Sequence, residues 1–331
     1  MRAIPGQCFA GRLPAMLVFT FVFCSCGGSK GPTPPALDDG EALLAVPGGH
    51  IWYRVTGTQG GTPLVLLHGG PGFSSYYLKP FEDLGGSRQV IRYDQLGGGK
   101  SDKITDTTMF TIGHFVQELD SLRAHLGLVK WHVLGHSWGT ILALEYYGAH
   151  ADHVASLIFS SPVFDAPAYE KRTRQLLATL PDSLQRQVRK AEASGRYDDP
   201  EYQNAIGQFY SLYVYRHPVQ ADLDSIFATM NAGIYMYMQG PSEFTITGTL
   251  KGYDATSFLS RITVPTLLTA GEFDEVGPDL VRGFAARIPK AQYVQFAGSA
   301  HMTPWDARDL NVSVVRDFLR TADSLSSHAG E

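Results

Sequence analysis

Apolar and polar residues alternate along residues 42–46 and again along 50–55, on either side of Pro47-Gly48-Gly49. That period of two predicts an opening β-hairpin. Residues 64–67 are an unbroken apolar run, the pattern of a strand buried on both faces. The runs at 89–93, 131–134, 154–159, 264–270 and 292–296 read as further strands. Between them the period lengthens. Phe115, Leu119, Leu122 and Leu126 recur at helical spacing, 141–147 is made of helix formers, and 280–288 reads as helix. Leu310, Val314 and Phe318 mark one expected face of a last helix over 307–319. Strands that alternate with helices predict a mostly parallel sheet covered on both sides.

The alternation breaks off near Ser160-Ser161-Pro162. From Asp165 to Asp254 four helices are expected, over 169–180, 182–194, 199–215 and 219–231, with Pro181, Pro200 and Pro218 at their ends. This stretch reads as an inserted all-helical cap, after which the strand–helix rhythm returns. The expected organisation is a leader over 1–25, a linker over 26–40, an α/β core over 41–162, the cap over 163–255, the rest of the core over 256–322 and a tail over 323–331.

The first segment has its own chemistry. Arg2 and Arg12 precede an apolar run over 13–23 that is too short to span a bilayer as a helix, the pattern of an export signal. Phe23-Cys24-Ser25-Cys26-Gly27 follows, which resembles a lipoprotein signal with Cys26 as the lipidated residue. Ordinary secretion is the alternative, since Phe23 is atypical there. The expected location is the periplasm or cell envelope, with membrane contact only through the anchor. Pro32, Pro34 and Pro35 then make a stiff tether. The three cysteines, Cys8, Cys24 and Cys26, all lie in this leader, so a mature domain would carry neither a disulfide nor a thiol nucleophile.

Composition narrows the rest. A formal net charge of −5 without a basic cluster argues against nucleic acid, and no cofactor motif or metal-ligand spacing is visible. At 331 residues and 44% hydrophobic content, the chain is long enough for one large core or two modest domains.

The strongest local signal is Gly135-His136-Ser137-Trp138-Gly139, with a strand before it and a helix after it. That context makes Gly-x-Ser-x-Gly a nucleophile elbow, a sharp turn that lifts the serine above the sheet. Asp274 and His301 stand at later strand ends, giving the chain order Ser137, Asp274, His301 of the α/β-hydrolase fold. The chemistry needs each type: serine attacks once a base takes its proton, histidine is that base, and a carboxylate orients the imidazole. His68 and His136 are weaker candidates, as are Asp254, Asp279 and Asp306, which lack a preceding strand. The oxyanion donors are expected on the backbone of Trp138, next to the nucleophile, and of Gly70 in the glycine loop after residues 64–67. The cap is rich in tyrosine, and on the residues alone these aromatics pack its own core.

Several motifs together resemble the proline iminopeptidases, serine aminopeptidases of the α/β-hydrolase fold. They are His68-Gly69-Gly70-Pro71-Gly72, Tyr93-Asp94-Gln95, the elbow, and Gly271-Glu272-Phe273-Asp274-Glu275. The segment Gly240-Pro241-Ser242-Glu243-Phe244 is similar to the branch that includes tricorn-interacting aminopeptidases and L-amino-acid amidases. The resemblance implies short peptides or amino-acid amides as substrates. It also implies that Glu243 and Glu275 bind the substrate's free α-ammonium; without it they read as a helix cap and a solvated rim residue. Phe73, Trp138, Tyr210, Tyr213, Tyr235 and Tyr237 are candidates for an apolar pocket under the cap. His136 before the serine departs from many members and leaves a wider first-residue range open. An amidase, esterase or lactonase that ignores the amine, and a non-catalytic surface binding protein of hydrolase fold, are the alternatives.

Overall fold

The computed structural model describes residues 38–328; the leader, most of the tether and Cys26 lie outside the described residues. The hairpin forms as expected: β1 (Gly40–Val46) pairs antiparallel with β2 (Gly49–Thr56), and Gly48 takes a left-handed φ of 95° in the turn. Next come β3 (Leu64–Leu67), β4 (Val90–Asp94), α1 (Ile112–His125), β5 (Trp131–His136), α2 (Trp138–His150) and β6 (Val154–Ser160). After the insertion come β7 (Thr266–Gly271), α8 (Pro278–Ala285), β8 (Ala291–Phe296), α9 (Thr303–Asp306) and α10 (Arg308–His328).

The strands make one eight-stranded sheet in the order β1-β2-β4-β3-β5-β6-β7-β8. The first three strands in that order are joined by antiparallel pairs, and every later pair is parallel. Strands β3, β4, β5 and β7 are buried along their whole length; β3 is wholly apolar, while β4 and β5 also bury Arg92, Asp94, His132 and His136. One apolar core packs α1, α2 and α8 on one face of the sheet; a second packs α10 and a 3₁₀ stretch, Ser75–Gly86, on the other.

The insertion between β6 and β7 holds α3 (Ala166–Leu177), α4 (Asp182–Ser194), α5 (Pro200–Tyr213), α6 (Gln220–Thr229) and α7 (Ala232–Met238). Caps in the sequence explain these bounds. Asp165 accepts from the Ala168 N–H, Asp199 from Glu201, and Asn231 from Gly233 and Ile234; Gly195 ends α4 with a φ of 66°. Asp165 and Asp254 form a β-bridge where the insertion leaves and rejoins the sheet. Val188, Tyr202, Phe209 and Phe244 lie in a separate apolar core within it.

Four expectations are corrected. The insertion is not helical throughout: helix stops at Met238, and the chain from 239 to 255, which carries Glu243, is irregular. The seven-residue α7 is a helix the periodicity missed, because it is too short to show a period. Leu310 is 56% exposed; Val312, Val315, Phe318, Leu319 and Ala322 carry the buried face of α10 instead. The supposed tail continues α10 to His328, and Asp323 within it pairs with Arg88 at 3.0 Å.

Candidate active site

Ser137 sits between β5 and α2 with φ 54° and ψ −124°, a left-handed conformation that a side chain adopts only under constraint. Its neighbours explain the constraint. A Cβ on Gly135 would lie 2.1 Å from the Gly139 carbonyl oxygen, and one on Gly139 would lie 2.2 Å from that of Leu67. The Ser137 N–H donates to Ser160 O at 3.0 Å, and its carbonyl accepts from Thr140 N and Thr140 Oγ1, at 2.8 and 2.6 Å. Both ends of the turn are therefore fixed, and the hydroxyl lines a cavity of about 550 Å³ beneath the insertion. Trp138 opens α2, and the first N–H groups of a helix have no partner within it.

His301 follows β8, and its ring reaches the same cavity. Its Nδ1 bonds to Asp274 Oδ1 at 2.9 Å, so Nε2 is the nitrogen left for proton transfer. Asp274 follows β7 and also accepts from the Val276 N–H at 3.0 Å. Burial alone would push the Asp274 carboxyl up; the charge and hydrogen bond of His301, with Ser161 and Val276, hold it below its ordinary value. Burial likewise pushes His301 down, but Asp274 and, more distantly, Glu243 outweigh it and leave the imidazole above its usual value.

Gly69 and Gly70 lie across the cavity from this pair's loop, and Gly70 has a φ of 118°. His68, exposed 0%, sets their orientation. Its Nε2 accepts from the Gln95 N–H at 3.0 Å, so Nδ1 carries the proton and donates to Gly69 O at 2.8 Å. The Gly69 carbonyl and the Gly70 N–H share one planar trans peptide and point opposite ways, so fixing one aims the other. The Trp138 indole donates to Gln95 Oε1 at 2.8 Å, and Gln95 Nε2 donates to His68 O at 3.0 Å, tying the loop to the elbow.

Glu243 reaches the cavity from the irregular part of the insertion and accepts from Tyr235 Oη at 2.5 Å and Tyr169 Oη at 2.7 Å. Burial first, then the Glu243 charge, holds both phenols well above their ordinary value, so they act as donors. Glu275 is exposed 0%, with Oε1 3.9 Å from His301 Nε2. Neither of its oxygens has a well-formed hydrogen-bond partner, although the Tyr169 hydroxyl is near enough to favour its ionised form. Burial, then the charges of Glu243 and Asp274, raise its carboxyl well above the usual range.

The structure sorts the expected aromatics. Phe73, Tyr210 and Tyr235 line the cavity, with Phe73 and Tyr235 stacked at 5.7 Å. Three others are corrections. Tyr237 is 40% exposed and packs against Phe110 at a separate surface pocket. The Tyr213 ring lies on the insertion's own core with its hydroxyl on Thr179; its contribution to the site is its carbonyl, which accepts from the N–H groups of His301 and Glu275. The Trp138 side chain packs against Phe115 in the core, leaving only its backbone to the cavity side. Sequence reading missed Ile206, Leu223, Ile226, Met230 and Trp305 on the wall, and Tyr169 behind Glu243; an apolar residue on a helix carries no mark that separates cavity from core.

Away from this site, Asp120 on α1, His150 at the end of α2 and His153 just beyond it place donor atoms within 4.8 Å of one another, a grouping that the linear spacing did not reveal. The Arg123 guanidinium already donates to Asp120 Oδ1 at 2.8 Å, and His153 Nδ1 to Val129 O at 2.9 Å.

Comparison with known proteins agrees with this geometry. Residues 62–307 match the family model described as the alpha/beta hydrolase fold. The chain is 40% identical over 284 residues to a proline iminopeptidase of Heyndrickxia coagulans, covering 85% of this chain and 99% of that one. It is 37% identical over 294 residues to a proline iminopeptidase of Saccharolobus solfataricus, covering 86% and 94%. Among solved structures, that of the proline iminopeptidase of Mycobacterium smegmatis superposes with a TM-score of 0.79 at 30% identity, covering 87% of this chain and all 100% of the other. These relatives are matched over nearly their full length, and the family model covers most of this chain: the chain belongs to the proline iminopeptidase family of α/β hydrolases.

Proposed function

We propose that this protein is a serine aminopeptidase that releases the first residue, proline or another apolar residue, from short peptides or amino-acid amides. The observation that carries the reading is the pair of acids beside the Asp274–His301 couple: Glu243 on the cavity wall, and Glu275, fully buried with Oε1 3.9 Å from His301 Nε2. Buried carboxylates without donors are costly. A substrate α-ammonium supplies a counter-charge to both acids and hydrogen bonds beyond those Glu243 already accepts from Tyr235 and Tyr169. Burial holds the Glu275 carboxyl above its usual range, and an ammonium beside it would favour the ionised form.

Ser137 Oγ attacks the carbonyl of the first residue while its proton passes to His301 Nε2. Asp274 holds the ring in the required tautomer and stabilises the imidazolium. The N–H groups of Gly70 and Trp138 receive the oxyanion. His301 returns the proton to the departing amine, leaving the first residue esterified to Ser137. Water, deprotonated by the same imidazole, then releases it as the free acid. Phe73, Tyr210 and Tyr235 provide the apolar surface for its side chain. Substitution Glu243→Ala tests the recognition step. It is expected to raise KM for prolyl arylamides at least about tenfold, the loss of one charge-assisted contact. An unchanged KM would remove Glu243 from amine recognition.

The leader adds a location. We infer export and anchoring at the cell envelope through lipidated Cys26, supported by the Arg2/Arg12-flanked apolar run and the small residue Ser25 before it. Labelled acyl chains should enter the wild type and not Cys26→Ser; equal labelling of both would sink the anchor.

A further inference from the structure

His136, the residue before the nucleophile, is exposed 1% and is not a member of the catalytic trio. Its Nε2 lies 3.0 Å from the carbonyl oxygen of His301, and its Nδ1 lies 2.9 Å from Tyr77 Oη. Tyr77 Oη in turn lies 2.6 Å from the Gly69 nitrogen. The donor directions follow from the atoms alone. A carbonyl only accepts, so His136 Nε2 carries the proton and Nδ1 is bare. Tyr77 must then donate to Nδ1, and its oxygen accepts the Gly69 N–H. The chain of bonds runs one way, Gly69 N–H to Tyr77 to His136 to His301 C=O, and joins the loop of the proposed oxyanion donor to the loop of the proposed base. Burial first, then the neighbouring His301, pushes His136 down to about 3, so the ring stays neutral and the order persists wherever His301 titrates. Tyr77 and His136 also meet edge-to-face at 5.2 Å, which fixes both rings. The loop they hold is close to the reacting centre: a Cβ on Gly69 would sit 3.0 Å from Ser137 Cβ and 3.1 Å from Tyr77 Oη.

Resting on the serine aminopeptidase reading, we propose that Tyr77 and His136 are positioning residues, a buried strut that sets the distance between the oxyanion loop and His301 on either side of Ser137. Small displacements of such donors are expensive in rate, while ground-state binding of the first residue depends on Glu243, Glu275 and the apolar wall. The test compares kcat and KM for a prolyl arylamide in the wild type, Tyr77→Phe, His136→Leu and His136→Gln, each with its melting temperature. Tyr77→Phe and His136→Leu are expected to lower kcat about 10- to 100-fold with KM within about threefold of the wild type, a fraction of the loss from deleting an oxyanion donor. Glutamine offers one acceptor and one donor group, so His136→Gln should recover most of the lost kcat. If His136→Leu fails to fold, Tyr77→Phe, which removes a single oxygen, carries the test. Unchanged kcat in Tyr77→Phe, or His136→Gln no faster than a folded His136→Leu, overturns the strut. Full turnover by Ser137→Ala overturns instead the aminopeptidase reading beneath it.

Discussion

The fold contains two sets of serine, histidine and aspartate, one at each end of the central strands. Ser137, His301 and Asp274 gather beyond the carboxyl ends of β5, β7 and β8. Ser156, His132 and Asp323 meet near the amino ends of β5 and β6, where His132 and Ser156 are register partners. The imidazole–carboxylate contact is nearly the same, 2.9 Å in the first set and 3.0 Å in the second, and Ser156 Oγ lies only 2.7 Å from His132 Nδ1. Yet the second set cannot catalyse. Ser156 and His132 are exposed 0%, and Ser156 lies within β6, paired into the sheet beside a shift in register rather than at a turn. Ser137 instead occupies a strained turn on a cavity, at the start of a helix whose free N–H groups face it. The charges differ as well. Burial, with a smaller push from the Arg88 charge, outweighs Asp323 and leaves His132 below its ordinary value; His301 faces Asp274 and Glu243 and lies above it. The residue types make an Asp–His pair. Strain, donors and access make a site, and they sit at the strand ends where α/β sheets bind ligands.

Breaking the two sets in parallel separates these roles. Ser137→Ala is expected to lower kcat at least about a thousandfold, whereas Ser156→Ala should leave it within about twofold, as read by arylamide turnover. Asp274→Asn, which disturbs the imidazole tautomer, should cost about a thousandfold or more in kcat. Asp323→Ala should leave kcat near the wild-type value and instead lower the melting temperature, because the buried Arg88 and His132 lose a half-buried partner, a cost of about 1–3 kcal/mol. A smaller effect comes from pH. His301 must be neutral to accept the serine proton, and its folded value is raised above 6.5. The acid limb of kcat/KM should therefore fall about tenfold per unit below a midpoint above 6.5, and Asp323→Ala should not move that midpoint. A midpoint shared by both regions would dissolve the distinction between them.

Much of this was legible in the sequence, for reasons that differ by element. Strands β3, β5 and β7 are buried on both faces and are mostly apolar or β-branched, so their runs are conspicuous even with His132 and His136 in β5. The elbow is legible because Gly135 and Gly139 are sterically obligatory, and the order Ser137, Asp274, His301 follows from the order of strand ends. Side chains that work through contacts from remote sequence were not. Nothing beside Tyr77 marks its bond to His136, 59 residues away, and nothing beside Tyr169 marks its bond to Glu243, 74 residues away. Tyr210 and Tyr213 lie three residues apart on α5, yet only the first faces the cavity, because the tilt of a helix against its neighbours is a tertiary property. Leu310 misled for the related reason that α10 buries the face of Val312 and Val315, leaving an apolar residue in solvent.

The central claim is that Glu243 and Glu275 convert a general serine-hydrolase site into one that demands a free amine. The most direct measurement is kcat/KM of the full-length wild type for a prolyl arylamide and for the same compound acetylated on nitrogen. Acetylation removes the cation and leaves the carboxylates of Glu243 and Glu275 without its charge, so kcat/KM is expected to fall at least about a hundredfold. Comparable values for the two compounds would contradict the claim and leave an acyl hydrolase indifferent to the amine.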